Sequence, residues 1–174
     1  AWAKHEQARL TQQLADLQAG RLRLIRRPVH PTAIVESARG AFALLAEAKE
    51  IEVSTRFADD VPEIVADRDR LFQVISNLLA NALCVTPPEG SILISVVRDG
   101  HEVRFAVSDS GPGINPTEVP HMFERYWRGP NGGGAGRGLG LAIARDLVAC
   151  HGGHIWADNE PAGGARFSFT VRCG

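Results

Sequence analysis

The sequence predicts an α+β domain, a two-layer sandwich in which helices cover one face of a mixed, mainly antiparallel sheet. Two observations lead to this fold class: helical and alternating apolar patterns are interspersed along the chain, and two alternating runs flank one short turn. The chain has 174 residues, 44% hydrophobic and 22% charged, and this composition suits one globular domain with a short additional element.

The amino-terminal part of the chain predicts two helices joined by an extended connector. Residues 2–17 contain no glycine or proline and repeat leucine at helical spacing, so we expect a helix that ends near Gly20. Prolines close the connector, and Thr32 is expected to cap a second helix that ends near Lys49. Five apolar residues of this second helix share one face: Ile34, Val35, Ala38, Phe42 and Leu45.

The middle of the chain predicts a strand and then the most informative helix. The alternating run 51–57 indicates the strand, and a turn with a short extended piece follows it. Between Asp67 and Cys84 the apolar residues form one broad arc that is expected to face the core: Leu71, Val74, Ile75, Leu78, Leu79 and Ala82. Asn77 and Asn81 lie four residues apart at the edge of this arc, where a pocket can meet the sheet.

The carboxy-terminal half predicts a hairpin, a loop-rich region, and a helix with two strands. Alternating runs on either side of Asp99 and Gly100 indicate the hairpin. Residues 115–129 predict a short helix and an aromatic segment, and residues 130–138 are glycine-rich enough to form a mobile lid. A helix is expected to begin near Leu139. This helix is expected to end at Gly152 and Gly153. Two strands are predicted after it, at residues 154–158 and 165–171.

Charge and cysteine content exclude several classes of protein. The chain has 19 basic and 20 acidic residues, so its formal net charge of −1 gives no support for nonspecific binding to nucleic acid. Three cysteines without metal-ligand spacing indicate reduced thiols in a cytosolic compartment. No apolar run is long enough to span a membrane. Because the chain begins with alanine and not methionine, we expect it to be a piece of a longer protein.

The motif DSGPGI places an acid beside two glycines at the end of a predicted strand. Gly111 and Gly113 lack a Cβ and let another group approach the backbone, and Asp109 offers a fixed acceptor beside that gap. A flat base with an exocyclic amino group fits this arrangement. The alternative is a tight turn in which Asp109 bonds only to its own backbone.

The motif GRGLGLAI places three glycines before a predicted helix. Backbone N–H groups at such a helix start can bind phosphate oxygens, and the alternative is a flexible loop. Neither GxxxxGK[ST] nor GxGxxG occurs, which argues against the common phosphate-loop and dinucleotide folds. The amide oxygen of Asn81 is a suitable ligand for Mg²⁺, whereas helix capping or core hydrogen bonding is its alternative role.

Taken in chain order, the segments NLLANAL, DSGPGI, FERYWR and GRGLGLAI resemble the N, G1, F and G2 boxes of the histidine-kinase catalytic domain, within the superfamily of gyrase-like ATPases. The resemblance is strongest from Asp67 to Leu141 and continues through HGGHIWAD and GGARFSFTV. It implies a two-layer sandwich of the Bergerat type that binds ATP and Mg²⁺.

The resemblance also implies roles for individual residues. Asp109 would accept a hydrogen bond from the adenine amino group, with Gly111, Gly113 and Ile114 forming the loop around the base. Asn81 would coordinate Mg²⁺, and Asn77 would support the metal site.

A second group of residues would act at the lid and the phosphates. Phe123 would anchor the lid, and Arg128 would reach the γ-phosphate. The phosphate-facing hinge would consist of Gly136, Arg137, Gly138, Leu139 and Gly140. Asn77, Asn81 and Arg128 are therefore the expected catalytic residues.

Asn77 separates two reaction classes within the superfamily. Gyrase-like ATPases carry a glutamate at the matching position, where it can activate water, whereas an amide cannot act as a base at neutral pH. The resemblance therefore favours transfer to a protein histidine over hydrolysis. Two alternatives stay open: a serine kinase of the anti-sigma-factor type, and a noncatalytic ATP-binding module. The second follows from Cys84 and Val85, which stand where the family has a basic and an aromatic residue.

The resemblance divides the chain and predicts its partners. Residues 1–27 look like the end of a dimerisation helix and its connector, and residues 28–174 look like the catalytic domain. The phosphoacceptor is expected in a histidine-containing dimerisation domain upstream of this chain, and not at His5. A response regulator receiver domain is the second expected partner. The whole protein is expected to be a homodimer, in the cytoplasm or anchored to the inner membrane, and this piece alone a monomer.

Overall fold

A computed structural model describes residues 11–12, 15–16, 20, 22–127 and 138–173 of the chain. These residues form seven strands and three long helices, which we number in chain order. The elements are β1 (Arg27–Val29), α1 (Pro31–Ala48), β2 (Glu52–Phe57), β3 (Ile64–Ala66), α2 (Arg68–Val85), β4 (Ser91–Asp99), β5 (Glu102–Asp109), α3 (Gly140–Cys150), β6 (Ile155–Asn159) and β7 (Ala165–Arg172).

Five strands form one sheet in the order β2-β4-β5-β7-β6. Strands β2 and β4 are parallel, and every other neighbouring pair is antiparallel. The parallel pair requires a crossover, which β3 and α2 provide. Strands β1 and β3 form a separate antiparallel pair beside the main sheet. The predicted fold class, a mixed and mainly antiparallel sheet in an α+β domain, is confirmed.

The predicted hairpin between β4 and β5 forms with Asp99 opposite Glu102. Gly100 begins its two-residue turn with a φ of +62°, a conformation that glycine adopts without strain. This register places Ile92, Ile94 and Val96 in the core.

The core lies between one face of the sheet and the three helices. The aromatic rings of Phe105 and Phe169 stack across β5 and β7 with centroids 4.6 Å apart. The predicted apolar arc of α2 is buried throughout: Leu71, Val74, Ile75, Leu78, Leu79 and Ala82. Asp67 caps α2, because its side chain accepts a hydrogen bond from the Arg70 N–H. Burial of this arc leaves Asn77 and Asn81 at the partly exposed edge of α2.

Two predictions about α1 are wrong. Thr32 does not cap this helix; His30 occupies the capping position without a side-chain hydrogen bond, and Pro31 begins the helix with its preset φ. Leu45 is 45% exposed and Ala46 takes the buried position, because the buried stripe advances four residues at a time.

The short helix predicted within residues 115–129 does not form in the described part of that segment. Successive turns replace it, with the Glu118 N–H bonded to the Asn115 carbonyl and the His121 N–H bonded to the Glu118 carbonyl. Pro120 lacks an N–H and its ring would clash with the preceding helical turn, so a helix cannot continue here. The predicted mobile lid lies outside the described residues, except for Gly138.

Candidate functional site

Three segments that are distant in sequence meet at one end of the domain. They are the carboxy-terminal half of α2, the loop that follows β5, and the start of α3, each of which carries residues singled out above. The turn between β6 and β7 packs beneath the β5 loop and completes the site.

Asp109 is buried at the end of β5, with only 4% of its surface exposed. Its Oδ1 accepts hydrogen bonds from the N–H groups of Gly111, at 2.8 Å, and Ala165, at 3.3 Å. Its Oδ2 is buried and has no hydrogen-bond partner among the described residues. Burial raises the pKa of this carboxyl, despite the two N–H donors.

The two oxygens of Asp109 therefore have different environments. The local turn, the alternative role predicted for Asp109, engages Oδ1 alone through the Gly111 N–H. A buried acceptor without a partner costs about 1 to 3 kcal/mol, and more when it is charged. An N–H donor from a ligand that reached Oδ2 would satisfy this oxygen.

The two glycines of the β5 loop are required by the protein's own packing. A Cβ on Gly111 would lie 2.8 Å from Asp109 Oδ1 and 3.0 Å from the Val85 carbonyl oxygen at the end of α2. Gly113 has a φ of +79°, and a Cβ there would lie 2.8 Å from Asn159 Oδ1. The close approach predicted at these glycines is thus made by the neighbouring elements.

The last residue of β6 and the turn between β6 and β7 hold this loop, and sequence reasoning missed them. The Asn159 side chain bonds to both main-chain groups of Ile114, which is 8% exposed. Gly164 has a φ of +94°, and a Cβ on it would overlap the Asp109 carbonyl oxygen. In the sequence, Asn159 and the pair Gly163 and Gly164 indicated a turn, but nothing indicated their contacts with the β5 loop.

The two asparagines of α2 have different surroundings. Asn77 Nδ2 donates a hydrogen bond of 3.0 Å to the carbonyl oxygen of Gly140, the first residue of α3. Asn81 is partly exposed, and its side chain forms no hydrogen bond with another described residue. A partly exposed amide oxygen suits Mg²⁺, which usually keeps waters and takes few protein ligands.

Phe123 connects the aromatic segment to the core. Its ring meets the Phe167 ring edge to face, with centroids 6.2 Å apart. Next to it, Arg125 forms an ion pair of 3.6 Å with Asp146 of α3. The segment that carries Phe123 is therefore attached both to the sheet and to α3.

The start of α3 lies against the end of the aromatic segment. Gly138 has a φ of +71°, and its carbonyl oxygen accepts a hydrogen bond from the Tyr126 N–H. Leu139, which precedes the helix, is buried and provides no side-chain cap. The first-turn N–H groups of α3 therefore lack a side-chain acceptor at the cap, and such groups bind anions well.

Three of the predicted site residues, Arg128, Gly136 and Arg137, lie outside the described residues. The other predicted positions, Asn77, Asn81, Asp109, Gly111, Gly113, Ile114, Phe123, Gly138, Leu139 and Gly140, belong to the three segments described above or to the aromatic segment beside them. Within the described part of the chain, no three His, Cys, Asp or Glu side chains cluster as metal ligands would.

Comparison with known proteins shows which family the chain resembles. A profile of the family described as histidine kinase-, DNA gyrase B-, and HSP90-like ATPase matches residues 66–174. The adaptive-response sensory kinase SasA of Synechococcus sp. (strain CC9311) is 40% identical over 126 residues, which are 71% of this chain and 33% of SasA. The signal transduction histidine-protein kinase BaeS of Escherichia coli (strain K12) is 35% identical over 162 residues, which are 91% of this chain and 34% of BaeS.

Solved structures share the fold. Full-length ShkA, crystallised in complex with AMPPNP, is similar with a TM-score of 0.84 and 32% sequence identity. The similarity covers 93% of this chain and 34% of ShkA.

The chain belongs to the family of histidine kinase-, DNA gyrase B-, and HSP90-like ATPases. Its relatives within that family are sensor kinases, so it contains an ATP-binding catalytic domain of the histidine-kinase type, as the four motifs predicted. The chain spans about a third of the length of the curated relatives named above. Among its described helices, none combines the length and the apolar character that crossing a membrane requires.

Proposed function

We propose that this chain is the phosphoryl-donating part of a two-component sensor histidine kinase. It would bind Mg-ATP and transfer the γ-phosphoryl group to a histidine outside these 174 residues. The observation that carries this proposal is the buried Oδ2 of Asp109, an acceptor without a partner beside a glycine loop.

At the base end of the site, Asp109 Oδ2 accepts a hydrogen bond from the amino group of adenine. Guanine carries a carbonyl oxygen at the corresponding position, so it would set acceptor against acceptor. Gly111, Gly113 and Ile114 form the loop beside the base. The site would therefore select ATP over GTP.

At the phosphate end, the chain supplies N–H donors and cations. The first-turn N–H groups of α3 and the segment Gly138, Leu139 and Gly140 would face the phosphates, and the resemblance assigns Gly136 and Arg137 to the same phosphate-binding segment. Arg128 stabilises charge on the γ-phosphoryl group, and Phe123 anchors the lid to the core. Mg²⁺, when bound, neutralises phosphate charge.

Asn81 and Asn77 divide the work on α2. The amide oxygen of the partly exposed Asn81 would be the protein ligand for the metal ion. Asn77 positions α3 against α2 through its hydrogen bond to Gly140. Because an amide does not accept a proton at neutral pH, Asn77 leaves water unactivated, and an incoming imidazole nitrogen becomes the nucleophile.

The rest of the protein supplies the acceptor and the partners. Residues 1–27 are the end of a dimerisation helix and its connector, and residues 28–174 are the catalytic domain. Contacts with the catalytic domain begin in the connector, where the Ile25 N–H donates to Asp67 Oδ2. An upstream histidine-containing domain would dimerise the whole protein, and a receiver domain would take the phosphoryl group next. We place this part of the protein in the cytoplasm.

One observation favours a second candidate, a module that binds ATP without transferring phosphate. Cys84 is partly exposed in the last turn of α2, which contains no basic residue. A cation that would contact phosphates in related kinases is therefore missing from this helix.

Labelled ATP distinguishes these functions. With a supplied histidine hairpin from a sensor kinase, we expect acid-labile label on the hairpin histidine. The chain alone should release phosphate very slowly and should carry no stable label. Rapid steady release would indicate a gyrase-like ATPase, and acid-stable label on a hydroxyl substrate would indicate a serine kinase. ATP binding with no transfer to any supplied hairpin would favour the noncatalytic module.

A further inference from the structure

We propose that Asn159 is a positioning residue for the base-binding loop: its side-chain amide takes the place of a neighbouring strand and holds the main chain of Ile114. This inference rests on the proposed ATP site and adds to it a residue that none of the four motifs contains. The hypothesis concerns the placement of Gly113 and Ile114, and assigns Asn159 no contact with the reacting atoms.

The contact between Asn159 and Ile114 joins residues 45 positions apart in the sequence. The Ile114 N–H donates to Asn159 Oδ1 at 2.7 Å, and Asn159 Nδ2 donates to the Ile114 carbonyl oxygen at 2.8 Å. Among the described residues, no other hydrogen bond holds the main chain of Ile114. The Ile114 side chain packs in the core, whereas the hydrogen bonding of its main chain depends on a single side chain.

The two bonds also determine the orientation of the amide. Its oxygen must face the Ile114 N–H and its nitrogen must face the carbonyl oxygen, because the reverse orientation pairs donor with donor and acceptor with acceptor. An aspartate at position 159 has the same shape but would set a negative oxygen against the Ile114 carbonyl. The chemistry of this contact thus requires an amide and not merely a side chain of that size.

Gly113 and Asn159 fit each other sterically. A Cβ on Gly113 would lie 2.8 Å from Asn159 Oδ1, a distance that real Cβ atoms essentially never show. A glycine at position 113 therefore lets the Asn159 amide reach the loop. This explains one glycine of the DSGPGI motif by a residue far from it in sequence.

The turn that follows Asn159 is held by side-chain hydrogen bonds to Glu160. Glu160 accepts two hydrogen bonds from Arg166, at 2.7 Å and 2.9 Å, and one from Ser108 Oγ at 2.7 Å. Ser108 directly precedes Asp109, so the same turn is tied to both ends of the base-binding loop. A rigid support of this kind transmits the position of β6 and β7 to Gly113 and Ile114.

The test compares nucleotide binding by the 174-residue chain and its variants Asn159→Ala and Asn159→Asp. The matched control is Asn115→Ala, which removes an exposed side-chain amide beside Ile114 that bonds, among the described residues, only to Thr117. Calorimetry should show that both Asn159 variants bind Mg-ADP and Mg-ATP on the order of tenfold more weakly, by the same factor for each nucleotide. The factor is equal because the base is common to the two ligands.

Two further readouts separate positioning from a general structural role. Hydrogen exchange of the Ile114 amide should accelerate in both Asn159 variants, while the exchange of core amides in β5 and β7 stays slow. The control should match the wild type in binding and in exchange. If Asn159→Ala fails to fold, the isosteric Asn159→Asp still decides.

Several outcomes would overturn the inference. The inference fails if both Asn159 variants bind nucleotide with wild-type affinity. It also fails if the variants have a lower thermal midpoint of unfolding but no loss of nucleotide affinity. A loss confined to Mg-ATP would place the effect at the γ-phosphate and not at the base. If the wild-type chain binds neither nucleotide, the proposed function itself fails, and that result is distinct from all of these.

Discussion

Asn77 in α2 and Gly140 in α3 are joined by a hydrogen bond of 3.0 Å, from the side-chain Nδ2 of the first to the carbonyl oxygen of the second. The two residues are 63 positions apart, and each belongs to one of the four motifs through which the sequence resembles histidine kinases. The bond fixes the start of α3 relative to α2. We therefore expect substitutions at Asn77 to change both the stability of the domain and the start of α3, where we propose that phosphates bind.

We expect Asn77→Ala to lower the free energy of unfolding by about 0.5 to 1.5 kcal/mol, the net value of one hydrogen bond. Asn77→Asp should cost more, about 1 to 3 kcal/mol, because it sets a carboxylate against the Gly140 carbonyl oxygen. Urea denaturation without nucleotide measures both. Asn81→Ala is the control, one helical turn further on, and should stay within about 0.5 kcal/mol of the wild type. Equal stability of Asn77→Asp and the control would contradict this account.

Asp109→Asn should weaken Mg-ATP binding roughly tenfold to a hundredfold, the range for one hydrogen bond to a charged group. The N–H groups of Gly111 and Ala165 keep the amide oxygen at the Oδ1 position. The amide nitrogen then replaces Oδ2 and meets the adenine amino group as donor against donor. Calorimetry with ATP and GTP measures the effect.

The same variant should not destabilise the protein without nucleotide. Burial raises the pKa of Asp109, so the ionised carboxylate costs stability at neutral pH, and this cost is relieved as the pH falls through the folded-state pKa. A neutral amide removes that cost.

Asp158→Asn, at an exposed position of β6, is the matched control for the effect of Asp109→Asn on ATP binding. The adenine pocket would be in doubt if both variants bound ATP as the wild type does.

His151 predicts a dependence of stability on pH. Its Nδ1 lies 2.8 Å from the Leu147 carbonyl oxygen, and its Nε2 accepts the Asp67 N–H at 3.2 Å, which together require the neutral ring with the proton on Nδ1. Burial lowers the pKa of His151 below the ordinary value of 6.5, an effect that the Leu147 hydrogen bond only partly offsets. Protonation would also set N–H against N–H at Asp67.

Because the folded-state pKa of His151 is lowered, the unfolded chain binds a proton that the folded chain excludes, and stability falls as the pH drops below about 6.5. The slope is at most about 1.4 kcal/mol per pH unit for one proton. Urea denaturation between pH 7.5 and pH 5.5 should show a shallower slope for His151→Gln than for the wild type. His154→Gln, at an exposed position, should keep the wild-type slope. Parallel slopes for all three proteins would refute the effect.

Cys84→Lys tests whether a missing cation limits the site. We expect the lysine to tighten Mg-ATP binding or to speed transfer to a supplied histidine hairpin, with an upper limit of about 1.5 to 3 kcal/mol. It should also stabilise the protein without nucleotide by about 0.3 to 1 kcal/mol, because the last turn of α2 contains no basic residue. Cys84→Met is the neutral control of similar reach. If neither variant gains in binding or transfer, Cys84 does not limit this site.

Local patterns in the sequence predicted most elements of the fold. The apolar arc of α2 and the hairpin at Gly100 formed as expected, because both depend on residues that are neighbours along the chain. Two of these predictions from local patterns were wrong. Pro120 prevented the helix predicted in residues 115–129, and the position-by-position rotation of α1 exposed Leu45 and buried Ala46.

The sequence by itself determined which residue types surround the site. Each of the four motifs is a continuous segment, and the order of the motifs along the chain indicates the family. Only the tertiary structure decided what those residues contact. The separate environments of the two Asp109 oxygens depend on Gly111 and on Ala165, 56 residues from Asp109, and the support of Ile114 by Asn159 spans 45 residues. Such contacts follow from how the sheet and helices pack, and packing is a property of the whole chain that no local spacing records.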